Sequence, residues 1–241
     1  MDWLVACYQP VALFSLKHGE ATSTGGKTLL IPTPFAIRMA LLDAALRTEE
    51  GGNPQEFVSL IGSLKIAIKP PTFAVVNGSF GKILKPERAD REMSSERAMT
   101  PSIAFREYVF WKGELGIAFG GVNQALQRIL PWLLNINYLG KRGGFIQLVS
   151  KPAWVNTEDG VCPQGYLFIS YQDASVVNPS GSFSLGVLQR IDDWGKDVSF
   201  EKLNSFSEER ISSGKERMRY DVILPYQIKR AGRGFALYAH V

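Results

Sequence analysis

Histidine and cysteine, the side chains that most often carry metal or nucleophilic chemistry, are nearly missing from this chain: its 241 residues include two of each. Cys7 and Cys162 lie far apart and match neither a zinc spacing nor a disulfide framework, so they read as reduced thiols of a cytoplasmic protein. His18 and His240 are too distant in sequence to suggest a metal site, and no metal or cofactor is expected. No apolar run reaches the roughly 18–20 residues that a membrane-spanning helix needs. The opening MDWLVACYQP has an early acid and no basic n-region, so it reads as a strand rather than a signal peptide. Nucleophile elbows, dinucleotide fingerprints, internal repeats and low-complexity tracts are absent too.

What the chain does have is unevenly placed positive charge. Lys and Arg total 27 against 23 Asp and Glu, giving a net charge of +4, while 45% of residues are hydrophobic, enough for a packed core. A basic balance tilts the expectation toward an anionic partner. Lys82, Lys85, Arg88, Arg91 and Arg97 crowd one hydrophilic stretch, diluted by Glu87, Asp90, Glu92 and Glu96. Lys141 and Arg142 sit between glycines, and Lys229, Arg230 and Arg233 cluster near the end beside Gly232 and Gly234.

Trp3, Val5 and Cys7 mark a first strand, broken by Pro10. Thr33 is a plausible N-cap and Pro34 suits the first helical position, where a missing N–H costs nothing, so a helix is predicted over about 34–47. Phe35, Met39, Leu42 and Leu46 recur at helical spacing and define its expected core stripe. A short helix over 54–60 and strands over 65–68 and 73–76 follow. Residues 77–99 lack periodicity and read as a long polar excursion, and excursions of that length are usually functional or disordered. Residues 103–111 and 114–119 read as a hairpin turning at Lys112-Gly113. Val122, Leu126, Ile129 and Leu133 predict a further helix, which Pro131 should kink or split. Beyond a basic turn at 140–144 the pattern is mostly strand-like, with Trp132, Trp154 and Trp194 read as core or partner-facing. The order strand, helix, strands, helix, strand is that of a ferredoxin-like unit.

Residues 21–28, ending Gly25-Gly26-Lys27-Thr28, imitate a phosphate-binding loop with alanine in place of the first glycine. Such a loop needs a helix starting at the lysine, so that its N–H groups meet the phosphates. Pro32 and Pro34 forbid that start, and nucleotide hydrolysis is not expected. His18 beside Lys17 leaves one catalytic alternative, a metal-independent endoribonuclease in which His18 acts as base.

Three segments, in order, carry a resemblance. They are Leu29-Leu30-Ile31-Pro32-Thr33-Pro34-Phe35-Ala36-Ile37-Arg38, Ile103-Ala104-Phe105-Arg106-Glu107-Tyr108-Val109-Phe110-Trp111, and Asn137-Tyr138-Leu139-Gly140-Lys141-Arg142-Gly143. Over residues 1–150 the chain resembles the fifth family of CRISPR-associated proteins, of the repeat-associated (RAMP) superfamily. The resemblance implies an α+β fold with a ferredoxin-like (RRM-like) palm over 1–150 and a thumb excursion over about 82–100. Residues 151–241 are then a β-rich C-terminal extension packed on the palm. It also implies a non-catalytic subunit of a type I interference complex, Cascade, that clasps the 5′ handle of the guide RNA. Its implied neighbours are the large and backbone subunits, with target DNA bound by the assembly. In one subtype the family member cleaves precursor RNA with a tyrosine and a lysine-histidine pair downstream of the first helix. Here no histidine stands between His18 and His240, so that set does not carry over.

A handle-binding subunit needs cations for phosphates and exposed surfaces for splayed bases. Lys141 and Arg142 are the first candidates, since a glycine-bounded turn lets the backbone approach RNA. Arg106 either contacts RNA or pairs with Glu107 or another acid. Arg38 lies off the expected core stripe and faces RNA or water. Lys82, Lys85, Arg88, Arg91 and Arg97 are thumb candidates as a set, and Lys229, Arg230 and Arg233 a further phosphate-contacting loop.

Overall fold

The computed structural model describes residues 1–19, 21, 25–86, 99–141, 143–170 and 186–241. The architecture is α+β and strand-rich. β1 (Asp2–Pro10), β3 (Lys65–Lys69), β6 (Leu115–Gly121) and β7 (Ile146–Leu148) form the centre of one antiparallel sheet in the spatial order β7-β1-β6-β3. Between them in sequence lie α1 (Pro34–Thr48), α2 (Pro54–Ser63) and α3 (Asn123–Leu134). Two strands from the C-terminal part of the chain complete this sheet: β8 (Ala153–Asn156) on β1 and β9 (Leu167–Phe168) on β3. The helices cover one face with Leu41, Phe57, Leu126, Ile129 and Trp132, all fully buried. Trp3, Ala67, Ala118 and Phe168 close the other face.

α1 begins where its sequence says it should. The Thr33 hydroxyl accepts from the Ala36 N–H at 3.2 Å, and Pro34 occupies the first turn. The expected stripe, however, is out of phase. Of the expected stripe Leu42 is buried, Phe35 and Met39 are half-buried against the core and Leu46 is exposed, while Ile37, Arg38, Leu41, Ala44 and Ala45 are buried as well. α1 packs against α2, α3 and β10 (Val187–Trp194), so it has no single wet face opposite a single dry one. α3 is one helix with Pro131 inside it, not two.

The excursion is the larger departure. β4 (Phe73–Pro86) and β5 (Met99–Lys112) pair over their whole length, from Phe73 opposite Lys112 to Pro86 opposite Met99, so residues 77–86 are strand and not loop. Their polar composition reflects a ribbon with water on both faces. β5 and β6 do not form the expected hairpin: the chain leaves β5 in one sheet and enters β6 in the other. The second sheet runs β12 (Tyr226–Gly232), β13 (Phe235–His240), β4, β5, β2 (Gly25–Gly26). β13 pairs only with residues 73–77 of β4, and β2 only with Phe105 and Arg106 of β5. Beyond those positions the ribbon has no other strand neighbour among the described residues. A separate pair, β10 with β11 (Arg217–Leu224), packs on α1.

No helix among the described residues is long and apolar enough to cross a membrane.

Candidate nucleic-acid interface

The segment between β1 and α1 is tied down along the ribbon. Phe14 bridges Val109, the Ser15 hydroxyl donates to the Glu107 carbonyl at 2.9 Å, and the Thr28 N–H donates to Glu107 Oε2 at 3.0 Å. Glu107 is therefore committed to the backbone of Thr28 rather than to Arg106. Successive strand residues face opposite ways, so Arg106 points away from Phe105 and Glu107. It lies against Gly26, where a Cβ would come 2.9 Å from both Arg106 Cδ and the Phe105 carbonyl oxygen, so the close approach to the β5 backbone favours glycine. Arg106 has no acidic partner among the described residues.

The basic turn is built by its neighbours. Leu139 is fully buried and Gly140 takes a left-handed φ of 71°, which turns the chain outward and leaves Lys141 exposed. The Leu139 N–H donates to the Gly144 carbonyl at 3.0 Å and the Gly144 N–H to the Lys141 carbonyl at 2.8 Å. Partial burial lowers the Lys141 pKa, and the neighbouring charges of Arg106 and Lys17 lower it further. Lys141, Arg106 and Lys17 thus reach one corner from separate elements.

A groove of about 640 Å³ runs between this segment, the base of the ribbon and the β12–β13 hairpin. Phe80, Phe105 and Phe235 give it aromatic walls, with Phe80 and Phe105 at a centroid separation of 4.9 Å and a tilt of 50°. Phe80 is 77% exposed. Lys27 and Arg233 supply exposed positive charge, and Glu107 and Tyr238 line the inner side. Burial, and then the Glu107 charge, push the Tyr238 phenol up. The Gly78 N–H donates to the Gly234 carbonyl at 2.7 Å and so fixes the hairpin tip, with Arg233, against the ribbon. Stacking faces next to cations, with few carboxylates, is what a single-stranded nucleic acid requires of a protein surface.

No family model matches the chain. A curated protein of Archaeoglobus fulgidus, CRISPR-associated protein Cas5, is 25% identical over 123 residues, which are 50% of this chain and 52% of that protein. Over that half of its length the chain is similar to Cas5. It spans about half the length of that curated relative (52%). Among solved structures, a CRISPR protein from Archaeoglobus fulgidus aligns over 100% of this chain and 92% of its own, with 12% identity and a TM-score of 0.45. A chain of a CRISPR RNA-guided surveillance complex aligns over 92% and 89%, with 14% identity and a TM-score of 0.48. A chain of a Type III-B Cmr-beta complex bound to cognate target RNA and AMPPnP aligns over 99% and 86%, with 11% identity and a TM-score of 0.39.

The other sequence candidates scatter. Arg38 requires a correction: it faces neither RNA nor water. It is 2% exposed and its guanidinium grips Asp193, at 2.7 Å through Nε and 3.3 Å through Nη2, while donating to the Ile61 and Leu64 carbonyls. Its partner lies 155 residues away, so no local pattern marked it as buried. Lys229 and Arg230 are exposed on the edge strand β12, at a register shift between Ile228 and Arg230, and not in a loop. Lys82 is exposed on the ribbon opposite Ile103. Lys85 belongs to β4, and its side chain lies outside the described residues, as do Arg88, Arg91, Arg97 and Arg142.

Gly25 and Gly26 lie extended beside β5, and the first helix after them starts at Pro34, so the phosphate-loop imitation has no helix to aim. His18 borders the groove, its N–H donating to the Lys27 carbonyl at 2.9 Å. Sequence reading named Lys17 only beside His18 in the catalytic alternative and Phe105 only within a resemblance segment, and it did not offer Lys27, Phe80 or Phe235 as candidates. Phe80, a large aromatic inside a glycine-bearing polar run, is the one signal that was available.

Proposed function

We propose that the chain is a non-catalytic RNA-binding subunit of a type I CRISPR interference complex, holding the 5′ handle of the guide RNA against the groove. The observation that carries this reading is the groove itself, with Phe80, Phe105 and Phe235 beside Lys27 and Arg233. Unstacked bases lie on the phenyl faces, each worth about 1–3 kcal/mol, and phosphates pair with the cations. Arg106 extends the track toward the corner where Lys17 and Lys141 stand. Similarity to Cas5 supports the assignment to a CRISPR assembly.

The antiparallel order β7-β1-β6-β3, with α1 and α3 on one face, supports reading the body as a ferredoxin-like palm. The paired β4–β5 ribbon is then its thumb, and the large and backbone subunits of the complex are the partners. His18 on the groove wall keeps the endoribonuclease as the second reading.

Co-purification from a host carrying the CRISPR locus, followed by sequencing of bound RNA, tests the proposal. Recovery of guide RNAs with a common repeat-derived 5′ end, unchanged by His18→Ala, is the expected result. Recovery of no guide RNA overturns it, and loss of precursor cleavage with retained binding in His18→Ala establishes the nuclease instead.

A further inference from the structure

Leu16, Lys17, Gly19 and Leu29 border another cavity, of about 230 Å³, bounded elsewhere by the start of α1, the turn at Gly140 and the β10–β11 pair. Its floor is apolar, with Leu16, Leu29, Phe35, Met39 and Ile191. Its rim is cationic. Two rim arginines are already neutralised: Arg190 pairs with Asp221 at 2.7 Å, and Arg217 pairs with Asp192. Arg217 also lies over the Phe35 ring, 4.6 Å from its centroid. The remaining rim cations, Lys17, Lys141 and Arg219, have no carboxylate partner among the described residues.

We propose that this cavity is a second binding site, separate from the aromatic groove, that takes a single nucleotide with its ring on the apolar floor and its phosphate on Lys17, Lys141 and Arg219. The size limits the ligand. Sites for drug-sized molecules run from about 300 to 1,000 Å³, so this cavity accepts one base with its sugar and excludes a dinucleotide. The chemistry limits it further. A bare anion leaves the floor of Leu16, Phe35 and Met39 without a partner, and an uncharged ring leaves the rim cations Lys17, Lys141 and Arg219 without one. Partial burial, and then the charges of Arg106 and Lys17, lower the Lys141 pKa, and a bound phosphate opposes that shift by favouring the charged lysine. The ring stacks on the Phe35 side, where Arg217 is held in place by Asp192. The nucleotide has two sources, an unstacked residue of the RNA held in the groove or a free mononucleotide.

Gly19 gives a clean block. It is exposed, and a Cβ there meets nothing nearer than Arg219 at 3.5 Å, so Gly19→Trp plugs the mouth without entering the core. The experiment titrates the full 241-residue chain with AMP, GMP, CMP and UMP, following amide shifts, with inorganic phosphate and adenosine as controls. At least one mononucleotide is expected to bind better than either control. Both Gly19→Trp and the double variant Lys17→Ala/Lys141→Ala are expected to weaken it by about tenfold or more, with folded spectra retained.

RNAs carrying one abasic position at a time separate the sources. If the RNA supplies the nucleotide, one position weakens binding to the wild type and not to Gly19→Trp. If it does not, AMP still shifts the cavity amides in the presence of saturating RNA. Phosphate binding as tightly as every mononucleotide overturns the proposal, as does mononucleotide binding that Gly19→Trp leaves unchanged. Failure of RNA to bind the groove overturns the proposed function alone, because the mononucleotide titration contains no RNA.

Discussion

Every residue of β6 from Leu115 to Gly120 is buried, whereas the outer ribbon of β4 and β5 turns Phe80, Leu84 and Ile103 to solvent at 77%, 63% and 64% exposure. Both are antiparallel strands of one chain, built from the same apolar residue types. In the first sheet those side chains are consumed by packing, with helices on one face and the Trp3–Phe168 cluster on the other. In the second they stand unburied beside lysines and arginines. Exposed apolar side chains beside cations are what the proposed RNA-binding role asks of this ribbon. The contrast divides a scaffold from a working surface, and it holds for arginine as well: Arg38 is locked into the body, while Arg106 and Arg233 are left available.

The strongest way to break this division is to attack the lock. Asp193→Ala strands the Arg38 charge in the core and is expected to cost about 3–5 kcal/mol in urea unfolding. Replacing both partners, Arg38→Met with Asp193→Leu, is expected to recover most of that loss. If Asp193→Ala instead leaves stability unchanged and weakens RNA binding, Arg38 belongs to the working surface after all.

Phenylalanine provides the next contrast. Phe57, fully buried and edge-on to Trp132 at 5.5 Å, is expected to cost roughly 3–5 kcal/mol when changed to alanine. Phe80→Ala is expected to change stability by less than about 0.5 kcal/mol and to weaken single-stranded RNA binding by about 1–3 kcal/mol. Phe35→Ala falls between them, at roughly 1–2 kcal/mol of stability, because its ring is only half-buried.

The smallest effect sharpens the picture at the scaffold's edge. Lys202 and the Ser212 N–H hold the Glu216 carboxyl near a pKa of about 2, against an ordinary 4.5. A depressed carboxylate stabilises the fold above its unfolded value, and that contribution fades as pH falls from 4.5 toward 2. Acid unfolding should therefore be steeper over that window in the wild type than in Glu216→Gln.

What was legible in the sequence was local. Thr33 and Pro34 announce α1 by their own hydrogen-bonding chemistry, and Leu139-Gly140-Lys141 announces a turn because one residue must be buried, the next left-handed and the third exposed. The phase of α1 was not legible, because packing on several sides, with an arginine inside, is decided by elements far along the chain. The ribbon was not legible either: its pairing is non-local, and with solvent on both faces it need not alternate. The groove drew Lys27, Phe80, Phe105, Arg233 and Phe235 from distant segments, so no linear motif contains it. Arg106 was an open choice between an ion pair and a ligand contact, and the Glu107–Thr28 hydrogen bond removed the pair with its neighbour.

The central claim, that the groove binds RNA by combining stacking with phosphate neutralisation, is tested most directly by the salt dependence of handle-RNA affinity in the folded double variant Lys27→Ala/Arg233→Ala. Each phosphate contact on a single strand contributes about 0.7 to the slope of log affinity against log salt. The account predicts weaker binding and a slope shallower by about 1.4 than the wild type. An unchanged slope and affinity would contradict it, since the groove would then carry no RNA.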